Sequence, residues 1–349
     1  MKIIISALTA LGDNVCATVA IGVIRKAYPA AEIAVLTWDT SEFVYKKCPY
    51  VDKVFVVDFS TKHYKRQWQF IYSIMKEHFD FAISLDNKTR SLLYMRLAGI
   101  RKIYLVGGMY GKVNFFKRYL LSDTLVMIDS KNQTVNVVEQ YLDAMQAITG
   151  IRGERRTNLG TSSADELEYA KSLLYNAGYN GKQKLVALCI RDEKRLIKHW
   201  LGSQWAEVIK KLVEERDCFC FTVGVKSEIK YAQQVIEKSG VYAANLCGKT
   251  DIIQLMALLQ SADVLIAPCS GTGHVAAALN VPAIIVYTNS RIYSWALPHD
   301  NFLPVFSFVD CLCYTDNNDC KDRKCCNEID ADDVVLAYDN LMQQVKSLG

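Results

Sequence analysis

The sequence predicts an α/β protein of two consecutive doubly wound domains, each a parallel sheet flanked by helices. Three observations carry that expectation. Short β-branched runs alternate with amphipathic segments from the first residues onward. The alternation breaks over 150–183, a polar, glycine-containing stretch, and then restarts. The chain has 349 residues, long enough for two domains with a core each. The joint is placed so that 1–160 and 161–349 are the two domains.

The elements follow in order. KIIISAL (2–8) reads as a strand, Asp13 to Ala27 as a helix closed by Tyr28-Pro29, and EIAVLTW (32–38) as a second strand. KVFVVDF (53–59), FDFAISL (79–85) and KIYLVGG (102–108) are further strands. After the joint come a helix (164–177), KLVALCI (184–190), a helix near 203–215 and CFCFTVG (218–224). A helix near 226–239, a short strand near 241–246 and a helix at 251–260 follow. VLIAP (264–268), a helix at 273–280 and AIIVYT (283–288) close the pattern, and DADDVVLAYDNLMQQVKSL is a last helix with Asp330 as N-cap. Ligands of such sheets sit at the carboxyl ends of the strands, and with two domains the cleft between them is the default site.

Composition narrows the class. Apolar residues make up 51% and charged residues 22%, the balance of a globular domain, and no apolar run is long enough to span a bilayer. The N-terminal MKIIISALTALGDN imitates a signal peptide only as far as Gly12, Asp13 and Asn14, so strand plus turn is the better reading. Twelve cysteines without a signal peptide then read as free thiols in a reducing cytoplasm. Net charge is only +4, yet residues 61–120 hold 12 basic against 3 acidic side chains. That concentration suggests an anionic partner or else a solvated face.

Several loops can carry chemistry. In SADVLIAPCSGTGHVAAALNVPAIIVY (261–287), Ser270, Gly271, Thr272 and Gly273 lie between a strand end and a helix start. Glycines admit a close ligand, and a helix N-terminus offers unpaired N–H groups and a positive dipole end, which suits a phosphate. His274 in the first turn either donates to a phosphate or sugar oxygen or simply packs. No G-K-S/T follows the glycines, so this is not a P-loop. Asp13 stands at the entrance of the first helix, as an N-cap or as a carboxylate able to take a proton from a hydroxyl. RDEKRLIKHW (191–200) places Arg191, Lys194, Arg195 and Lys198 after a strand. It is either an ordinary basic loop or a source of charge for a diphosphate. Glu228 opens a helix after TVGVKS, where it can accept ribose hydroxyls or complement the helix dipole.

The cysteine cluster C-x-C-x6-C-x4-C-C offers Cys311, Cys313, Cys320 and Cys325 as four zinc ligands, although C-x-C is tighter than the usual first pair. A surface loop of free or redox-labile thiols is the other reading.

Taken together the motifs resemble glycosyltransferase family 9, the lipopolysaccharide heptosyltransferases, over nearly the whole chain. ALTALGDNVCATVAIGVIRKAYPAAEIAVLT resembles the family's A-L-G-D opening, and CPYVDKVFVVD (48–58) its N-P-x-V-D-type segment. KHW with Trp205 beyond it is similar to the K-x-W…W element. SADVLIAPCSGTGHVAAALNVPAIIVY is similar to D-S/T-G-x-x-H-x-A-A-A-L-x-x-P. The cysteine-rich tail before the last helix is also of the family's kind.

The resemblance implies a GT-B architecture, two Rossmann-like domains facing a central cleft, with the last helix (331–347) packing back on the first domain. It implies inverting, metal-independent transfer of a heptose from an ADP-sugar to a lipid-linked oligosaccharide of the lipopolysaccharide core. The enzyme would sit peripherally on the cytoplasmic face of the inner membrane, with no cofactor and no nucleic acid partner. It makes Asp13 the general base and Lys198, with Lys194 as rival, the cation at the departing diphosphate. Glu228 would hold the ribose, while Ser270, Gly271, Thr272, Gly273 and His274 would cradle the diphosphate with Arg191 nearby. Lys62, Lys65 and Arg66, in the basic stretch, would face acceptor phosphates and the membrane. The departure is Cys269, where the family carries an acidic residue that contacts the donor sugar's hydroxyls; a thiol cannot accept two strong hydrogen bonds as a carboxylate does. The family's helix-1 proline is also missing, with Val19 near its place. A sugar-nucleotide 2-epimerase and a catalytically degenerate nucleotide-sugar binding protein remain the alternatives.

Overall fold

The computed structural model describes residues 1–57, 64–108, 112–128, 135–192, 200–288, 295–296, 299, 301–307 and 323–348. The chain divides into two compact units, Met1–Gly160 and Thr161–Gly349.

In the first unit β1 (Lys2–Ser6), β2 (Glu32–Trp38), β3 (Lys53–Val57), β4 (Phe81–Ser84), β5 (Lys102–Gly107) and β6 (Thr124–Met127) form one sheet ordered β3-β2-β1-β4-β5-β6. Every pair in it is parallel. In the second, β7 (Lys184–Leu188), β8 (Cys218–Thr222), β9 (Ala244–Asn245), β10 (Val264–Pro268), β11 (Ala283–Tyr287) and β12 (Phe302–Phe306) run β12-β11-β10-β7-β8-β9, again all parallel. Both are the doubly wound order, although the two halves share no evident sequence repeat. The order reverses between β1 and β4 in one sheet and between β7 and β10 in the other. Crevices at the carboxyl ends of such reversal points are where doubly wound sheets bind ligands.

The central strands are buried on both faces, as parallel strands under helices must be, which is why they read as continuous apolar runs. Both sixth strands escape the sequence reading for physical reasons. β6 has four residues, none of them fully buried. β12 carries Pro304 in its middle, which a parallel sheet tolerates only at an edge, and an edge is where it lies.

The helices of the first unit are α1 (Leu11–Ala27), α2 (Glu42–Lys47), α3 (Tyr64–Met75), α4 (Thr89–Leu97) and α5 (Val137–Thr149), with a π-helical turn at Lys117–Leu121. Those of the second are α6 (Ala164–Asn176), α7 (Gly202–Arg216), α8 (Ile229–Ser239), α9 (Ile252–Gln260), α10 (Gly271–Ala278), α11 (Lys324–Asn327) and α12 (Ala331–Leu348). Asp330 caps α12 as expected: its Oδ1 accepts from Asp333 N while Asp333 Oδ2 accepts from Asp330 N, both at 3.0 Å.

The inner face of α12, Val334, Tyr338 and Leu341, belongs to the core of the second unit with α7. Arg216 grips Asp339 with two hydrogen bonds, 2.9 and 2.8 Å. Trp200 and Trp205 of the K-x-W…W element are core residues too. They stack edge to face at 5.0 Å, and Trp200 Nε1 donates to Ile329 O.

Candidate functional site

In the first unit, polar groups gather where β1 hands over to α1. The helix starts at Leu11 with Ala10 as N-cap, so Asp13 is not the cap. It is the third helical residue, half-buried, where an acidic side chain complements the helix dipole. The turn that presents it is held by Asn14, a buried residue the sequence reading passed over. Asn14 Nδ2 donates to Thr9 O, Ala10 O and Ser41 Oγ at 2.8, 2.9 and 3.1 Å, and its Oδ1 accepts from Tyr45 OH at 2.6 Å. Burial holds the Tyr45 phenol well above its usual pKa, so it remains a donor at any working pH. The Thr9 hydroxyl, in the same turn, is shielded from solvent and has no hydrogen-bond partner.

Across the strand reversal, Asp86 is fully buried at the end of β4. Its carboxylate accepts from Leu8 N, Lys88 N, Ser84 Oγ and Ser91 Oγ at 2.9, 2.9, 3.1 and 2.7 Å. This knot ties the ends of β1 and β4 together, a structural task for a charged residue that ends an apolar run. Beside it Lys117 Nζ donates to Asn87 O at 2.7 Å, and partial burial lowers its pKa. Lys65 and Arg66 are exposed in the first turn of α3; Lys62 lies outside the described residues.

In the second unit, polar groups gather around the reversal between β7 and β10. Arg191, just past β7, sets Nη1 2.9 Å from Glu228 Oε1. Glu228 is buried, and its Oε2 accepts from Val225 N at 2.9 Å. The space for that carboxylate exists because residue 224 is glycine: a Cβ there would lie 2.4 Å from Glu228 Oε2. Glu228 thus has partners inside the protein before any ribose arrives. Lys194, Arg195 and Lys198 lie outside the described residues.

After β10, Cys269 is exposed, unlike any other described cysteine, and its backbone N–H reaches Val286 O at 3.3 Å. α10 begins two residues later, two before the expected start. Gly273 N and His274 N make the first turn's bonds to Ser270 O, and ahead of them stand the N–H groups of Gly271 and Thr272, which a helix cannot bond internally. Ser270, the N-cap, does not cap with its side chain. Its Oγ is shielded and has no hydrogen-bond partner.

Two backbone donors and an idle hydroxyl at the positive end of a helix make a ready anion site. Thr272 is fastened to β7 by Cys189, whose Sγ donates to Thr272 Oγ1 at 3.6 Å. Gly273 has a packing role as well. It lets α10 lie on β11, since a Cβ there would stand 2.8 Å from Ile285 Cδ1.

His274 is buried and packs edge-on to Trp295 at 5.9 Å. Burial, aided by the charge of His299, pushes its pKa down from 6.5 to about 4, so it meets any ligand as a neutral imidazole. Between those two values the unfolded chain binds a proton that the folded chain does not. Stability should therefore fall as pH drops from about 6.5 towards 4, by about 3 kcal/mol in all. Urea midpoints measured at neutral pH and near pH 4.5 should show the loss, and His274→Gln should flatten that part of the curve.

Among the described residues no three His, Cys, Asp or Glu side chains are placed to hold a metal ion. Cys311, Cys313 and Cys320 lie outside them, while Cys325 is half-buried in α11 beside the buried Cys326.

Two consecutive doubly wound units, each with polar groups gathered at its strand reversal, define a GT-B transferase fold. Comparison with known proteins agrees. The family model for glycosyltransferase family 9 (heptosyltransferase) matches residues 67–327. Lipooligosaccharide heptosyltransferase 2 of Haemophilus ducreyi is 24% identical over 299 residues, covering 82% of each chain. Among solved structures, a family 9 glycosyltransferase from Veillonella parvula superposes with a TM-score of 0.83 at 18% identity, covering 98% of this chain and 97% of its own. ADP-heptose LPS heptosyltransferase II of E. coli gives 0.78 at 19% identity over 99% and 100%.

The chain belongs to glycosyltransferase family 9. It is a glycosyltransferase of the lipopolysaccharide heptosyltransferase kind.

Proposed function

We propose that this protein transfers a heptose, or a closely related sugar, from an ADP-sugar to a hydroxyl of a lipopolysaccharide core acceptor, with inversion and without a metal ion. The mouth of α10 carries this reading, because among the described residues Ser270 Oγ has no hydrogen-bond partner and stands beside the first N–H groups of a helix, those of Gly271 and Thr272. The acceptor's hydroxyl oxygen attacks the anomeric carbon, Asp13 takes the hydroxyl proton, and the bond from that carbon to the diphosphate oxygen breaks with its electron pair leaving on ADP. The developing negative charge is met by the α10 mouth, by Arg191 and by Lys198, whose part rests on the sequence resemblance. One base and a stabilised leaving group are sufficient for a single inverting displacement. His274, neutral, supplies at most one N–H donor to the diphosphate or the sugar. Glu228, aligned by Arg191, holds the ribose. The acceptor is lipid-linked, so the enzyme works at the inner face of the bacterial inner membrane, and Lys62, Lys65 and Arg66 meet acceptor phosphates there.

Two measurements test this reading. ADP should raise the melting temperature more than UDP or GDP at equal concentration, since a ligand of the native state stabilises by RT ln(1 + [L]/Kd). A cysteine stands where a carboxylate would grip sugar hydroxyls, so Cys269→Asp should change the ratio of kcat/KM between ADP-heptose and ADP-hexose donors by about tenfold or more. An unchanged ratio would remove Cys269 from donor selection.

A further inference from the structure

We propose that the outer side of α3, α4 and the π-turn is a bilayer-docking surface, with its aromatic side chains seated among the headgroups of an anionic membrane and its cations at the rim. It deepens the reading of a lipid-linked acceptor but does not depend on transfer activity.

The three elements lie on one face of the first sheet. They send Ile71 and Ile74, Leu92 and Met95, and Leu121 into a shared core with Leu36, Ala82 and Leu105. A helix anchored this way ordinarily turns polar side chains to water. Here the outer side also carries a run of apolar side chains. On α3, Trp68, Tyr72 and Met75 follow at spacings of four and three, with Trp68 56% exposed. On α4, Leu93 and Leu97 repeat the pattern. At the π-turn Phe115 is 72% exposed, and Tyr119 and Leu120 follow at 59% and 57%. Single exposed apolar side chains need no explanation, whereas runs of them on three adjoining elements do.

Charge decides what covers them. The three acidic residues of the basic stretch 61–120 are all engaged within the protein. Glu77 pairs with Lys2 and Lys53, Asp80 accepts from Lys2 N, and Asp86 is the buried knot. The cations point the other way. Lys65, Arg66 and Arg118 are exposed. Lys76 Nζ lies 4.6 Å from the Tyr72 ring centre, and the Arg118 guanidinium 5.1 Å from that of Tyr119. Aromatic rings with cations over them, among acidic side chains that are already bonded within the protein (Asp80 to Lys2 N, Asp123 to Arg96), suit the headgroup region of an anionic bilayer. There Trp and Tyr rings settle and Lys and Arg reach phosphates.

The test is flotation with phosphatidylglycerol-containing vesicles and, in parallel, with purely zwitterionic ones. The wild-type protein should float with the anionic vesicles and retain part of that binding in high salt, because the rings are inserted as well as attracted. Its tryptophan emission should shift to the blue on binding, and Trp68→Phe should remove most of that shift. The triple variant Phe115→Ser/Tyr119→Ser/Leu120→Ser should lose vesicle affinity by about tenfold or more. It should keep its melting temperature and its rate on a water-soluble, lipid-free acceptor. Equal flotation of the triple variant, absence of wild-type flotation, or self-association through this face in place of vesicle binding would each overturn the proposal. Loss of transfer with flotation intact would instead count against the proposed reaction alone.

Discussion

Asp13→Asn is expected to lower kcat by about 10²- to 10⁴-fold, the span over which a positioned general base acts, while donor affinity is kept. The separation follows from where the parts lie. Asp13 stands in the first turn of α1 and the diphosphate cradle at the mouth of α10, so an isosteric amide at position 13 removes the proton acceptor and leaves the cradle's own groups in place. The β1–α1 turn should persist, because Asn14 holds it through Thr9 O, Ala10 O, Ser41 and Tyr45. Initial rates with calorimetric titration of the donor check both halves. A rate unchanged by the substitution would take Asp13 out of the chemistry.

Arg191→Met should destabilise the protein by about 2 kcal/mol or more, since removing one member of a buried ion pair leaves the other charged, desolvated and alone. Glu228 is the buried member, while the Arg191 side chain keeps 35% of its exposure, which holds the expected loss below that of a fully buried pair. Adding Glu228→Gln to Arg191→Met should restore most of the loss, because a neutral amide tolerates burial better than a lone carboxylate and still offers an oxygen to Val225 N. Urea denaturation of the wild type, both single variants and the double closes the cycle. Strictly additive losses would mean that the 2.9 Å pair contributes nothing.

The strands and the α10 mouth could be read from the sequence, and the residues that organise them could not. Strands β1, β2 and β10 were legible because parallel strands covered on both faces must be apolar throughout. The α10 mouth was legible because small residues between an apolar run and a helix have few other uses. The organising residues were not. Asn14 looks like an ordinary polar residue at a helix start and Asp86 like one at a strand end, and only the tertiary neighbours Tyr45, Ser41, Leu8 and Ser91 reveal what they hold. Gly224 carries no local signal at all, since it is needed for a carboxylate four residues later. Asp13 illustrates the reverse error. A favoured capping residue at a helix start suggests an N-cap, but the helix begins two residues earlier with uncapped Ala10. Gly273 sits in a ligand loop by sequence and serves helix–strand packing in space.

The most direct test is to incubate the purified protein with ADP-β-heptose and a heptose-free core acceptor and to determine the product by mass spectrometry and NMR. One added heptose in α linkage, formed with the metal chelated, with ADP released in equal amount and none formed by Asp13→Asn, is the expected result. A β-linked product, donor epimerised or hydrolysed without acceptor modification, or transfer that continues undiminished in Asp13→Asn would contradict it.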